Sequence, residues 1–229
     1  MNRKIIILTA AVIAAGLAVC SCSSDSGSGK SSAKETVSQL SMDDIKGING
    51  GAEPEIQYYY GTETISTLQG KYSDTKVKDK DDALYVIKEL SGLLNIKDPD
   101  TELRFSTHNP GAKSSAYVFD QFYKELPTSG RISVIVDNEG NTFALSNSYI
   151  SGLDMDTEPS LSAEAAAEKA KNKAKGELKG EPELMVYSDV ENGAKLAWHV
   201  SFRSSSYPNE VWVDAMSGGI LSEDGPIDD

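Results

Sequence analysis

The sequence has few of the residues that build catalytic and metal sites. Its 229 residues include two cysteines and two histidines, and His108 and His199 are followed by asparagine and valine. A thermolysin-type protease needs His-Glu-x-x-His to hold zinc and to place a general base, so that chemistry is excluded. The Gly-x-Ser-x-Gly elbow of serine hydrolases is also missing. We therefore expect a protein that is not an enzyme and has no metal site, cofactor or small-molecule substrate.

Positive charge is scarce as well. The chain has 22 lysines and arginines against 35 aspartates and glutamates, a formal net charge of −13. Nucleic-acid binding depends on basic patches, so we exclude it. An acidic balance often serves solubility alone, and it also means that the folded body is not attracted to anionic lipid.

Both cysteines lie at the end of an apolar run near the N-terminus. Residues 5–19 carry no charge and follow a charged start, which is typical of a secretory signal and too short for a spanning helix. Val19-Cys20-Ser21-Cys22 resembles a bacterial lipobox. The small Ser21 favours Cys22 as the lipidated residue, with Cys20 as the competing register.

The residues after Cys22 favour a lipid anchor over an ordinary secretory signal with two incidental cysteines. Residues 23–32 are nearly all Ser, Gly and Asp, a composition typical of flexible tethers. We therefore predict a lipoprotein signal peptide at 1–21 and a flexible tether at 22–52 with at most a short helix. The expected location is the cell membrane, lipid-anchored on the extracytoplasmic side.

The remainder of the chain shows periodic patterns of strands and helices. Apolar residues alternate along several short segments, and two segments have helical spacing behind capping residues, Asp81-Asp82 and Ser162. The predicted strands are 55–71, 103–105, 116–123, 131–137, 141–149, 183–188, 195–203 and 210–215, and the predicted helices are 83–94 and 162–175. Met216-Ser-Gly-Gly219 is typical of a turn, which returns the chain at Ile220.

These elements predict an α+β fold of two small modules, at 53–152 and 153–224, followed by an acidic tail at 225–229. Each module is expected to be an antiparallel sheet with a helix packed on one face. In the first, Leu84, Ile87 and Leu90 should meet Ile132, Val134 and Val136. In the second, Ala166 and Ala170 should meet Leu196, Trp198 and Val200.

The first predicted module resembles a known propeptide family. Residues 119–127, Phe-Asp-Gln-Phe-Tyr-Lys-Glu-Leu-Pro, precede a glycine, an apolar strand and an Asp-Asn-Glu-Gly turn, as in the fungalysin/thermolysin propeptide (FTP) module. The matching residues are Gln121, Tyr123, Pro127, Gly130 and Asp137. Glu125 and Thr128 depart from the family glycine and valine at the turn.

The second module resembles PepSY, the module that closes the propeptides of thermolysin-like metalloproteases. The resemblance rests on a helix opening Leu-Ser-Ala-Glu-Ala-Ala at Leu161, on Leu-Ala-Trp-His-Val at Leu196 and on the stretch from Val211 to Leu221. In those precursors the propeptide helps its protease to fold and occupies the active-site cleft until it is processed.

The resemblance implies a partner and a contact region. Because eight residues follow Leu221, we expect a propeptide-like protein that acts in trans, inhibiting or chaperoning a secreted thermolysin-like metalloprotease. The alternatives are a general extracytoplasmic interaction or sensor lipoprotein, and a pseudo-precursor without a partner. The expected contact residues lie at the C-terminal end: Val213, Asp214, Ile220, Leu221 and Pro226. Binding by the folded sheets, with a frayed terminus, is the alternative to binding by the tail.

Overall fold

The computed structural model describes residues 37–59, 61–189, 193–204 and 207–224. The predicted signal peptide, Cys20, Cys22, most of the tether, Pro226 and the tail at 225–229 lie outside these ranges. The helices are α1 (Met42–Ile48), α2 (Lys80–Glu89), α3 (Pro99–Glu102) and α4 (Ala163–Ala170). The strands are β1 (Glu55–Tyr58), β2 (Ile65–Gln69), β3 (Leu103–Pro110), β4 (Ser114–Tyr123), β5 (Leu126–Asp137), β6 (Thr142–Asn147), β7 (Glu177–Leu178), β8 (Glu183–Asp189), β9 (Gly193–Arg203), β10 (Glu210–Asp214) and β11 (Ile220–Asp224).

The longer helices begin where the sequence provides a capping side chain. Asp79 accepts hydrogen bonds from the backbone N–H groups of Asp81 and Asp82 at the start of α2. Ser162 accepts one from Ala165 at the start of α4, as predicted. These side chains satisfy N–H groups that have no partner within the helix.

The strands form one continuous sheet. Its main path runs β1-β2-β6-β5-β8-β9-β10-β11, with β4 pairing β5, β3 pairing β4, and β7 pairing β9. The pairs are antiparallel except for a parallel contact between β5 and β8, where Thr128 lies opposite Val186.

This architecture shows that the prediction of two small, separate helix-on-sheet modules was wrong. The prediction started β5 at Arg131, whereas the strand starts at Leu126. Lys124 and Glu125 form a tight turn with φ values of +47° and +70°, and Tyr123 pairs directly with Leu126. The residues between this turn and Arg131 therefore belong to β5. β8 pairs with β5 in this segment, at Thr128. The observed fold is a large mixed sheet with few helices.

Two apolar cores lie on this sheet. In the first, Ile87 of α2 and Leu90, which directly follows this helix, are buried with Ile132, Val134 and Val136 of β5, as expected from the sequence. Leu84 is partly buried and packs against the same core. In the second, Ala166 and Ala170 of α4 are buried with Val200, and half-buried Trp198 packs against them. Leu196, the third expected partner, is buried but does not belong to this core. The two cores cover two parts of one sheet.

Part of the predicted tether belongs to the folded body. Ser41 and Asp44 form a capping box at the start of α1, and Ile45 is fully buried in the first core. The side chain of Gln39 donates to the carbonyl of Lys88 and accepts from the N–H of Gly92. These contacts attach the segment to the end of α2. Across the described ranges, no helix has the length and apolar character needed to cross a membrane.

Candidate functional site

The predicted contact region is the hairpin of β10 and β11. β11 is the last strand on the main path of the sheet, so that among the described strands its outer edge has no partner. A register shift between Trp212 and Val213 makes the pairing irregular, because Trp212 lies opposite Ser222 and Val213 opposite Ile220. Leu221 is the extra residue at this bulge.

The predicted contact residues differ in their access to a partner. The side chain of Val213 is fully buried in the second core, so it is not available for a direct contact. Ile220 is half-buried and packs against the same core, and Leu221 is half-buried at the free edge. Pro226 lies outside the described residues.

Asp214 stabilises the turn of the hairpin. Its Oδ1 accepts hydrogen bonds from the backbone N–H groups of Met216 at 2.9 Å and Ser217 at 2.8 Å. Burial raises the pKa of Asp214, but these hydrogen bonds outweigh that effect, so the pKa is lowered. The carboxylate thus has a structural role that leaves little of it free for a partner.

A polar and aromatic cluster lies on the opposite face of the same strands. Nε2 of His199 lies 2.6 Å from Oε2 of Glu210, and the Ser201 hydroxyl donates to the same oxygen at 2.5 Å. The imidazole of His199 stacks on Trp212 with ring centroids 4.7 Å apart and an interplanar angle of 13°. Tyr187 contacts the same indole, with a centroid distance of 5.3 Å.

This geometry does not form a serine hydrolase triad. In such a triad the histidine lies between the nucleophile and the acid and takes the proton of the serine. Here the carboxylate of Glu210 lies in the middle and binds both Ser201 and His199. In the part of the chain that the structure describes, no three His, Cys, Asp or Glu residues are grouped closely enough to hold a metal ion. The arrangement suits the ordering of side chains on a surface rather than proton transfer to a substrate.

Sequence reasoning missed this cluster because it depends on strand register. Alternation correctly put His199 and Ser201 on the face opposite Trp198. It could not show that Trp212 lies opposite His199 and Glu210 opposite Ser201. The two tryptophans have different roles: Nε1 of Trp198 donates to the carbonyl of Leu161 at 2.8 Å, whereas Nε1 of Trp212 is buried without a hydrogen-bond partner among the described residues.

Comparison with known proteins yields distant structural likenesses and no family assignment. No family model matches the chain, and no curated protein matches it. The chain is similar to the Bacillus megaterium YpeB C-terminal domain with a TM-score of 0.41 and 13% sequence identity. The match covers 83% of this chain and 100% of that domain. A likeness this distant carries no conclusion about function, and the FTP and PepSY resemblances rest on the sequence motifs alone.

Proposed function

We propose that the protein is a lipid-anchored, non-catalytic binding protein on the extracytoplasmic side of the cell membrane. Its proposed partner is a secreted thermolysin-like metalloprotease, which it inhibits or helps to fold in trans. The observation that carries the proposal is the free edge of β11 at the end of a continuous sheet. An exposed sheet edge binds an extended segment of another protein through backbone hydrogen bonds, and neighbouring side chains add specificity.

The chemistry of the hairpin supports a binding role. Ile220 and Leu221 provide half-buried apolar surface on the last strand of the main path, and Asp214 fixes the turn that aligns them. A preformed edge binds with a smaller loss of conformational entropy than a disordered segment does. An anchor close to the site of secretion would raise the effective concentration of the protein near its target.

The proposal is tested by measuring inhibition of a purified thermolysin-like protease, and its refolding yield, with and without the protein. Leu221→Lys introduces a charge on the free edge, a feature that natural proteins use to prevent strand addition. We expect this variant to inhibit at least about tenfold more weakly while it stays folded. Met216→Lys is the matched control, because Met216 is 53% exposed in the turn of the same hairpin.

Two results would contradict the proposal: equal inhibition by the wild type and Leu221→Lys, or no effect of the wild type on protease activity and refolding. The second result would favour the alternative, a general extracytoplasmic interaction or sensor protein. The half-buried aromatic cluster of Trp212, His199 and Tyr187 supports that alternative, since aromatic side chains are enriched at protein interfaces.

The anchor is tested separately at Cys22. Replacement of Cys22 by serine removes the thiol that an acyl chain would modify, and the acidic body has no electrostatic attraction to the membrane. We expect the variant to be released from membranes or to stall in processing, as measured by cell fractionation. Unchanged retention of Cys22→Ser, together with release of Cys20→Ser, would assign the anchor to Cys20.

A further inference from the structure

A cleft of about 540 Å³ lies in the first part of the fold, away from the hairpin. Its volume falls within the range of about 300–1,000 Å³ that is typical of ligand sites. It is formed by the loop after α2, the end of α3, the end of β4 and the segment after β6. The residues that determine its chemistry are Ile96, Lys97, Glu102, Phe122, Tyr149 and Leu153.

The polar side of this cleft is a half-buried carboxylate. Oε2 of Glu102 accepts a hydrogen bond from the Tyr149 hydroxyl at 2.6 Å and one from the backbone N–H of Asp98 at 3.3 Å. Burial raises the pKa of the Tyr149 phenol, and the carboxylate of Glu102 raises it further, so the tyrosine stays a hydrogen-bond donor. Within the described ranges, Glu102 has no ion pair with a lysine or arginine.

The walls of the cleft are apolar and aromatic. Ile96 is buried, and Phe122 and Leu153 are half-buried. The guanidinium carbon of Arg104 lies 3.8 Å from the ring centroid of Phe122, so this ring is already in contact with a cation of the same chain and offers a ligand apolar surface. A carboxylate without a basic partner, bordered by apolar walls, is complementary to a positive group at the end of an aliphatic stem.

We propose that this cleft binds an alkylammonium or guanidinium group, with Glu102 as the counter-ion and Phe122 and Leu153 in contact with the aliphatic stem. The group belongs either to a lysine or arginine side chain of a protein partner or to a free diamine. The exposed Lys97 at the edge of the cleft repels the ligand and weakens its binding. This inference rests on the geometry of the cleft and does not depend on the protease proposal.

The test is an NMR titration of the purified, isotope-labelled protein at low ionic strength. The probe is Nα-acetyl-lysine N-methylamide, and its norleucine analogue has a similar apolar stem without the ammonium group. We expect saturable shifts at the amides of Ile96, Phe122 and Ile150 with the lysine probe and at least about tenfold weaker binding of the norleucine probe. This comparison uses the unmodified protein and needs no substitution.

Variants then assign the contact to Glu102. Glu102→Gln keeps an acceptor for Tyr149 but removes the charge, and we expect it to bind the lysine probe about tenfold more weakly or worse. Glu139→Gln, an exposed carboxylate in the β5–β6 turn, is the matched control and should bind as the wild type does. Lys97→Met should bind the probe more tightly, because a repulsive charge is removed.

The source of the cation is identified with 1,5-diaminopentane and acetyl-Leu-Lys-Leu-amide. Tighter binding of the tripeptide assigns the cleft to a lysine of a protein partner, and tighter binding of the diamine assigns it to a free amine. Equal titration by the norleucine and lysine probes would overturn the proposal. Wild-type affinity in Glu102→Gln, or no saturable shift at millimolar probe, would also overturn it.

Discussion

At the scale of single residues, an aspartate at the end of a strand organises each of two hairpin turns. Asp137 ends β5 and accepts hydrogen bonds from the backbone N–H groups of Glu139 and Asn141, both at 2.9 Å. Asp214 ends β10 and accepts two in the same way. Hydrogen bonds from Asn141 lower the pKa of Asp137, and the pKa of Asp214 is lowered as well. Each carboxylate is therefore part of the fold in its charged form.

Replacement of Asp214 by alanine should lower the free energy of unfolding by about 1–2 kcal/mol at neutral pH. The folded-state pKa of Asp214 is lowered, so its contribution is complete above the unfolded value of about 3.9. It is lost as the pH falls through the folded pKa. Urea unfolding at neutral and acidic pH should therefore show the largest difference between wild type and variant at neutral pH.

The exposed Asp154 provides the control for that experiment, since Asp154→Ala should change the free energy of unfolding by less than about 0.5 kcal/mol. A difference between wild type and Asp214→Ala that grows toward acidic pH would contradict the assigned role of the carboxylate.

A second residue-scale feature explains the Gln and Gly of the FTP-like motif. Gln121 is 2% exposed, and its amide donates to the carbonyl of Ile150 at 2.9 Å and accepts from its N–H at 2.8 Å. Gly130 leaves room for this side chain, because a Cβ at Gly130 would lie 2.1 Å from Oε1 of Gln121. The glycine is required by the close approach of the amide.

Gly130→Ala should therefore destabilise the protein by about 1–3 kcal/mol, the usual cost of overpacking a filled site. Gly180→Ala is the matched control, since a Cβ there meets no atom within 4 Å. Thermal unfolding measures both. In the double variant Gln121→Ala/Gly130→Ala the colliding amide is absent. Gly130→Ala should therefore lower the free energy of unfolding less in the Gln121→Ala background than in the wild type. Equal costs in the two backgrounds would show that this collision is not the cause.

At the scale of elements, the sequence predicted those whose pattern is local. α2 and α4 follow capping side chains, and β8, β9 and β10 follow clear alternation, so the residues at which they start agree with the prediction within three residues. α2 ends at Glu89 and α4 at Ala170, each five residues before its predicted end.

The sequence underestimated the length of elements that have no apolar pattern. β3 extends to Pro110, and all its residues after Leu103 are exposed, so alternation could not show its length. In the hairpin, the glycine turn was predicted from the sequence, whereas Asp214 was predicted as a contact residue and proves to stabilise the turn. The His199–Glu210 contact could not be predicted, because it depends on how β9 and β10 align.

β11 also continues further than the sequence suggested, and this changes how the tail should be tested. Its pairing with β10 extends to Asp224 opposite Glu210, and Glu223 forms an ion pair with Lys173 at 3.1 Å. A deletion of residues 222–229 therefore removes part of the sheet.

Deletion of residues 225–229 is the appropriate truncation. It should leave the melting temperature nearly unchanged, because β11 keeps all its paired residues. Deletion of 222–229 should lower the melting temperature by several degrees, corresponding to a loss of at least about 1 kcal/mol. In the protease assay, full inhibition by the protein that lacks residues 225–229 would assign binding to the folded edge. Lost inhibition by this protein would assign binding to the tail.

At the scale of the whole molecule, the parts before and after residue 153 are joined by strand pairing and hydrogen bonds as well as by the connecting segment. β5 pairs with β8, and Ser188 donates its backbone N–H to the Ser129 hydroxyl at 3.0 Å. The connecting segment is also fixed, because Met155 binds the Tyr123 hydroxyl and the Lys124 ammonium group. These contacts favour cooperative unfolding of both cores.

This cooperativity can be measured because the chain has two tryptophans, Trp198 and Trp212, and both lie in the second part. Leu145→Ala creates a cavity in the first core, where Leu145 is fully buried, and should destabilise it by about 2–5 kcal/mol. If the cores unfold together, tryptophan fluorescence in the second part will report this loss as a lower midpoint of unfolding. Phe143→Ala on the same strand is the control, since Phe143 is 55% exposed and should have a small effect. An unchanged tryptophan transition in Leu145→Ala, with an earlier loss of tyrosine or circular-dichroism signal, would show that the two parts unfold independently although they share one sheet.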